Sequence, residues 1–133
     1  MEMKKAVRKI LMIDDDADDR KYFKEALHAI DPAVEFEEAK DGWQALEHLQ
    51  DTSFLLPDHI FLDLRMPRYK GRLFMQKIKA DERLQNIPVI IYTTSEEGDD
   101  MKEMQSLGAV RFLSKPSNPD EIYQLILLVL EKQ

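Results

Sequence analysis

The most restrictive feature of the chain is a repeated switch between two residue periods. Short apolar runs at Ile10–Ile13, Ile60–Leu64, Val89–Tyr92 and Ala109–Leu113 are each bounded by polar or turn residues. Such runs suit strands buried on both faces of a parallel sheet. A fifth segment, Val34-Glu35-Phe36-Glu37, alternates apolar and polar, as a strand nearer a sheet edge does. Between the runs, apolar residues recur at spacings of three and four. Phe23, Ala26, Leu27 and Ile30 precede the stop at Asp31-Pro32; Trp43, Leu46 and Leu49 follow the Asp41-Gly42 turn. Phe74 and Ile78, with Leu84 as an extension, follow Gly71, and Met101, Met104 and Leu107 run up to Gly108. A last helix carries Ile122, Leu125, Ile126 and Val129 on one stripe, with Pro119 suited to its first turn. Five βα units predict a doubly wound α/β domain around a parallel sheet.

The bulk properties agree with one such domain. The 133 residues fit a single unit, and the expectation is one domain with no output domain after Gln133. The absence of cysteine excludes disulfides, thiolate metal sites and a catalytic thiol. A formal charge of −7 disfavours non-specific binding to nucleic acid or to an anionic membrane. The apolar run after the N-terminus is too short for a signal-peptide core, and Ile122–Leu130 is too short to span a bilayer. The expectation is a soluble, cytoplasmic protein.

In a doubly wound sheet, ligands bind beyond the C-terminal ends of the strands. The first run leads into Asp14-Asp15-Asp16, the next into Asp63, the fourth into Thr93-Thr94-Ser95, and the last into Lys115. Carboxylates crowded at one rim repel one another, and a hard cation with oxygen ligands relieves this. Mg²⁺ suits such a site and also neutralises charge on a phosphoryl group. Asp63 is placed to attack phosphorus and form an aspartyl phosphate. Thr93 offers a hydroxyl donor to a phosphoryl oxygen, and Lys115 a point charge.

These segments resemble the CheY-like family of response-regulator receiver domains over essentially the whole chain (core about 8–132). The resemblance rests on Ile-Leu-Met-Ile-Asp-Asp-Asp at 10–16, Phe-Leu-Asp-Leu-Arg-Met-Pro at 61–67 with Gly71, Pro-Val-Ile-Ile-Tyr-Thr-Thr-Ser at 88–95, and Phe-Leu-Ser-Lys-Pro at 112–116. It implies a flavodoxin-like (βα)5 three-layer sandwich with strand order 2-1-3-4-5. It implies Asp63 as phosphoacceptor, Asp15 as a direct Mg²⁺ ligand, Asp14 as a ligand through water, and the Arg65 backbone carbonyl as a further ligand. Thr93 becomes the switch hydroxyl, Lys115 the phosphate-binding ammonium and Phe112 the aromatic switch. The Lys115–Pro116 bond is expected to be cis. The implied partners are a histidine kinase or a histidine phosphotransfer protein, and a downstream protein that the sequence does not name. Such a domain is a signalling module that catalyses only its own phosphorylation and dephosphorylation, not an enzyme acting on other substrates.

Asp15 with Asp16 is the second choice for the metal pair, while Asp18 and Asp19 suit the N-terminal dipole of the first helix. Ser95 reads as a helix N-cap, and the tract 96–100 reads as a solvated loop or a phosphorylation-sensitive one. A phosphohydrolase of the haloacid-dehalogenase kind needs an aspartate two residues after its nucleophile, where this chain has Arg65. A degenerate receiver acting only as a binding module would have lost the acceptor or the lysine. No glycine-rich loop follows the first strand, which argues against dinucleotide binding. His28, His48 and His59 lack metal-ligand spacing, and Trp43 reads as packing. Tyr123, Leu127 and Leu130 exceed the needs of the last helix's core stripe; they reflect either broad burial or a partner or homodimer surface near the last βα units.

Overall fold

The computed structural model describes residues 6–53, 55–65, 71–94 and 98–131, the last segment without side chains for 98–100. Strands and helices alternate strictly: β1 (Lys9–Ile13), α1 (Ala17–Ile30), β2 (Glu35–Ala39), α2 (Gly42–Gln50), β3 (His59–Leu62), α3 (Gly71–Ala80), β4 (Val89–Thr93), α4 (Gly98–Ser106), β5 (Arg111–Ser114) and α5 (Pro119–Glu131). The strands form one parallel sheet in the order β2-β1-β3-β4-β5. The fold is the flavodoxin-like (βα)5 sandwich, with the strand order reversing between β1 and β3.

Alternation along the strands divides the core in two. Leu11, Ile13, Ile60, Leu62, Val89 and Ile91 face one way and bury Leu46 and Leu49 of α2, Phe74 and Ile78 of α3, and Met104 of α4. Ile10, Met12, Phe61, Ile90 and Tyr92 face the other way, onto Phe23 and Leu27 of α1 and Ile122, Ile126 and Val129 of α5. Phe23 sits at the centre of that second layer. Its ring lies 4.8 Å from Phe61 and 5.6 Å from Tyr92, both edge-on, the arrangement that aligns ring edge with ring face. Full burial of each such ring contributes about 1.5–3 kcal/mol.

Local signals set the helix ends. Asp16 caps α1, accepting from the backbone N–H groups of Asp18 and Asp19, and Asp41 caps α2 through Gln44. Gly108, with φ of 106°, turns the chain out of the α4 region in a conformation that favours glycine.

Several expectations are corrected. Leu84 is buried but does not extend α3, because Asp81 ends the helix by accepting from Leu84 and Gln85 through its carbonyl and from Arg83 through its side chain. Trp43 is 61% exposed, not packed inside, because the buried stripe of α2 is Gly42, Ala45, Leu46 and Leu49. β5 begins at Arg111 instead of Ala109, whose N–H still bonds back to Met104. The excess on α5 is mostly burial: Tyr123 and Leu127 are half-buried, and Leu130 packs on the α1–α5 layer. Ser95 and the tract 96–97 lie outside the described residues, as do the side chains of 98–100.

The histidines are structural neighbours of backbone and charge. His28 Nε2 lies 3.1 Å from the Val34 carbonyl, His48 pairs with Glu37, and His59 is buried in β3. Glu37 also pairs with the buried Lys9 at 2.6 Å.

Candidate functional site

Backbone bonding carries the strand pattern one residue past each strand end. The N–H of Asp14 donates to Ala39, that of Asp63 to Ile13, and that of Lys115 to Thr93, at 3.0, 3.0 and 2.9 Å. The side chains at these positions therefore leave the sheet at one rim with little freedom. Asp14, Asp63 and Thr93 are buried, whereas Asp15 is exposed.

Asp63 is held by both oxygens. Its Oδ1 accepts from Thr93 Oγ1 at 2.7 Å and from the Arg65 backbone N–H at 3.0 Å. Its Oδ2 accepts from Lys115 Nζ at 3.0 Å. The same ammonium donates to Asp19 Oδ2 at 2.7 Å and lies 2.7 Å from Asp14 Oδ2, an ion pair without hydrogen-bond alignment. Asp14 Oδ1 accepts from the Asp16 N–H, and the Asp14 carbonyl accepts from Arg20, which also pairs with Glu38. An open cavity of about 330 Å³ lies over these groups, lined by Asp15, Asp16, Asp19, Asp63, Arg65, Thr94 and Lys115. Arg65 reaches across its mouth to donate to Thr94 Oγ1 at 2.8 Å.

The two buried carboxyls are driven apart electrostatically. Burial pushes Asp14 up to about 6, against the opposing pull of Lys115 and the Asp16 N–H. Burial also acts to raise Asp63, but the bonds from Thr93 and Arg65 and the charge of Lys115 outweigh it and hold Asp63 below the usual carboxylate range. At neutral pH Asp63 is an ionised carboxylate. Asp14 is ionised at a cost, which a cation in the site would relieve. Burial disfavours the Lys115 charge, yet its pairing with Asp14 and Asp19 and the charge of Asp63 push its pKa up. Burial raises the hydroxyl of Tyr92, whose ring centroid lies 5.9 Å from Lys115 Nζ, so it stays protonated.

The family model described as response regulator receiver domain matches residues 10–127. The chain belongs to the response regulator receiver family. The receiver is 33% identical over 95 residues to Response regulator Rre1 of Synechocystis sp., an alignment that takes in 71% of this chain. It spans only 38% of the length of Rre1. It resembles the structure of the phosphorylated cyanobacterial phytochrome response regulator RcpA, with a TM-score of 0.86, 29% identity, and coverage of 95% of this chain and 93% of that one. The Mn²⁺-bound form of response regulator Rcp1 is similar at a TM-score of 0.85 and 28% identity, covering 95% and 96% of the two chains. Receiver domains are signalling modules of two-component systems, and this places the chain in that class. No helix of the described residues is long and apolar enough to cross a membrane.

The receiver's rim fits a divalent cation. Asp14, Asp15 and Asp63 each offer a carboxylate oxygen, all within 4.8 Å of one another, an all-oxygen set matched to a hard ion. Asp14 Oδ2 is buried and accepts no hydrogen bond, which leaves a lone pair that a cation could coordinate. Asp16, the alternative to Asp14, has its carboxylate occupied in capping α1.

A prediction follows from Asp14. Its raised pKa means the folded receiver is favoured by a protonated Asp14; that contribution is full below the ordinary value of 3.8 and is lost as pH rises through about 6. Asp14→Asn in the metal-free protein should therefore raise stability at pH 8 by about 1–3 kcal/mol and flatten the fall between pH 4 and 6. Urea denaturation across that range measures it. Lower stability of the variant at pH 8 would show that pairing with Lys115 outweighs the burial cost.

The structure brings Asp14, Asp15, Asp63, Thr93 and Lys115 to one rim and puts the Arg65 backbone on Asp63. Phe112 is half-buried in β5, packed on the layer that faces α2, α3 and α4. The Lys115–Pro116 bond is trans, since no cis peptide occurs among the described residues, which corrects the expected cis form. The trans backbone already delivers the ammonium to three carboxylates, so the ordinary trans preference stands. Two members escaped sequence reasoning. Asp19 was assigned to the helix dipole but bonds Lys115, and Tyr92 read only as strand core.

Proposed function

We propose that the receiver accepts a phosphoryl group on Asp63 from the phosphohistidine of a histidine kinase or a histidine phosphotransfer protein, with Mg²⁺, and signals by altered protein binding. An Asp63 carboxylate oxygen forms a bond to phosphorus as the phosphorus–nitrogen bond of the donor breaks, and the histidine departs with its electron pair. The observation that carries the reading is the pinning of an ionised Asp63 by Thr93, Lys115 and the Arg65 N–H, beside two further carboxylates.

Asp15 and Asp63 would hold Mg²⁺ directly, with Asp14 acting through water and the Arg65 carbonyl completing the protein's share. The ion supplies charge neutralisation for the phosphoryl oxygens. Thr93 and Lys115 then turn from the carboxylate to the phosphoryl oxygens, and Phe112 repacks as Thr93 moves inward. The surface that reads this change lies by the last βα units, facing a protein target or a second copy of the chain. The Mn²⁺-bound Rcp1 and the phosphorylated RcpA support both the metal and the modification.

Incubation with acetyl phosphate and Mg²⁺ should add one phosphoryl group by intact mass, removed by hydroxylamine as acyl phosphates are. An unchanged mass, or a hydroxylamine-resistant adduct, would contradict the reading.

A further inference from the structure

Resting on the phosphoacceptor reading above, we infer that Asp19 is a brake on the switch: it holds Lys115 in the resting receiver and must release it on phosphorylation. A lysine ammonium carries three donors. Lys115 Nζ is already surrounded by three carboxylate oxygens, from Asp14 and Asp19 at 2.7 Å and from Asp63 at 3.0 Å. Two of its donors are engaged, by Asp19 and Asp63, and its third side faces Asp14 Oδ2 without hydrogen-bond alignment. To follow a phosphoryl oxygen, which lies beyond the Asp63 carboxylate, the ammonium has to draw away from one of its other two partners.

The three partners differ in what release costs them. Asp14 is wholly buried and its Oδ2 accepts no hydrogen bond, so losing the nearby ammonium would leave a buried charge uncompensated. Asp63 bears the new group, so its bond to Lys115 is the one being remade. Asp19 is 36% exposed on the first turn of α1 and opens onto the site cavity, where water can replace the ammonium. The exchangeable bond is therefore Lys115–Asp19. Its position explains the cost of the arrangement as well. A fourth carboxylate beside three others adds repulsion at rest, and this one does not belong to the set of three that converge within 4.8 Å.

The role is one of positioning. Asp19 acts through Lys115 and touches neither the metal nor the phosphoryl group. Removing it should make the activated state easier to reach, where damage to the fold would make it harder.

The test is beryllofluoride binding, a phosphoryl mimic, titrated at saturating Mg²⁺ in the full chain and followed by nuclear magnetic resonance. Asp19→Asn is expected to tighten binding about three- to tenfold, the range of one charge-assisted bond no longer broken. Asp18→Asn makes the same change in net charge on an exposed neighbour and should move the affinity less than about twofold. Asp19→Glu, which keeps the carboxylate, should return towards wild type. In a Lys115→Met background, Asp19→Asn should add no more than Asp18→Asn does. Equal effects of Asp19→Asn and Asp18→Asn, or weaker binding by Asp19→Asn, would overturn the brake while leaving Asp63 as acceptor. Failure of the wild-type chain to bind the mimic would remove the acceptor reading, and the brake with it.

Discussion

Asp63→Asn should reduce labelling by acetyl phosphate and Mg²⁺ at least about a hundredfold, to the background of the assay, while the folded receiver persists. The substitution keeps the shape of the side chain, and the amide oxygen can still accept from Thr93 Oγ1 and from the Arg65 N–H. What it removes is the ionised oxygen that would attack phosphorus. It also removes a charge that Thr93, the Arg65 N–H and Lys115 together favour in the fold, so some fall in Tm is expected. Loss of labelling in a variant that still unfolds cooperatively would locate the defect in chemistry, not in folding. Intact mass against time checks it, and persistent labelling at the wild-type rate would take the role away from Asp63.

Lys115→Met has the second large effect, this time on stability. The lysine side chain is 9% exposed and neutralises Asp14 at 0% and Asp63 at 4%. Removing one partner of a buried ionic cluster leaves charge without compensation and typically costs about 3–5 kcal/mol. For a chain of this length that is a fall in Tm of about 10–20 °C. The loss should be largest above pH 6, where Asp14 is ionised, and smaller at pH 5, where its proton takes over from the ammonium. Divalent cation should recover much of it, because the carboxylates remain. Differential scanning calorimetry at both pH values, with and without Mg²⁺, tests this. A Tm unchanged at pH 8 without metal would mean that the ammonium stabilises nothing in the resting state.

Both expectations concern residues that were legible in the sequence, for an identifiable reason. β1, β3 and β4 are buried on both faces, so they must be written as unbroken apolar runs, and their ends are marked by the first polar residue. Asp14, Asp63, Thr93 and Lys115 stand at or just beyond those ends. β2 was less clear because it lies at the sheet edge, where Glu35 is exposed and Phe36 and Glu37 are half-buried.

What was hidden depends on how elements dock, which no local pattern encodes. Asp19 lies in the first turn of α1, and only the approach of α1 to the end of β5 carries it to Lys115. Trp43 shares a spacing with Leu46 and Leu49, yet the rotation of α2 buries Gly42 and Ala45 in its place. Asp14 is preferred over Asp16 on sequence because it directly follows the apolar run, and the structure adds the physical ground. Asp16 bends its carboxylate back to cap α1, while Asp14 turns into the buried end of β1.

Asp63 itself is expected to carry the phosphoryl group. The direct measurement is to phosphorylate the wild-type chain with acetyl phosphate and Mg²⁺, reduce it with borohydride and sequence the peptides by mass spectrometry. An aspartyl phosphate is reduced to homoserine where the group was attached. The account predicts homoserine at position 63, dependent on Mg²⁺ and absent without the phosphodonor. Homoserine at position 14 or 15, or a phosphoryl group on Thr93 or Thr94 with Asp63 intact, would contradict it.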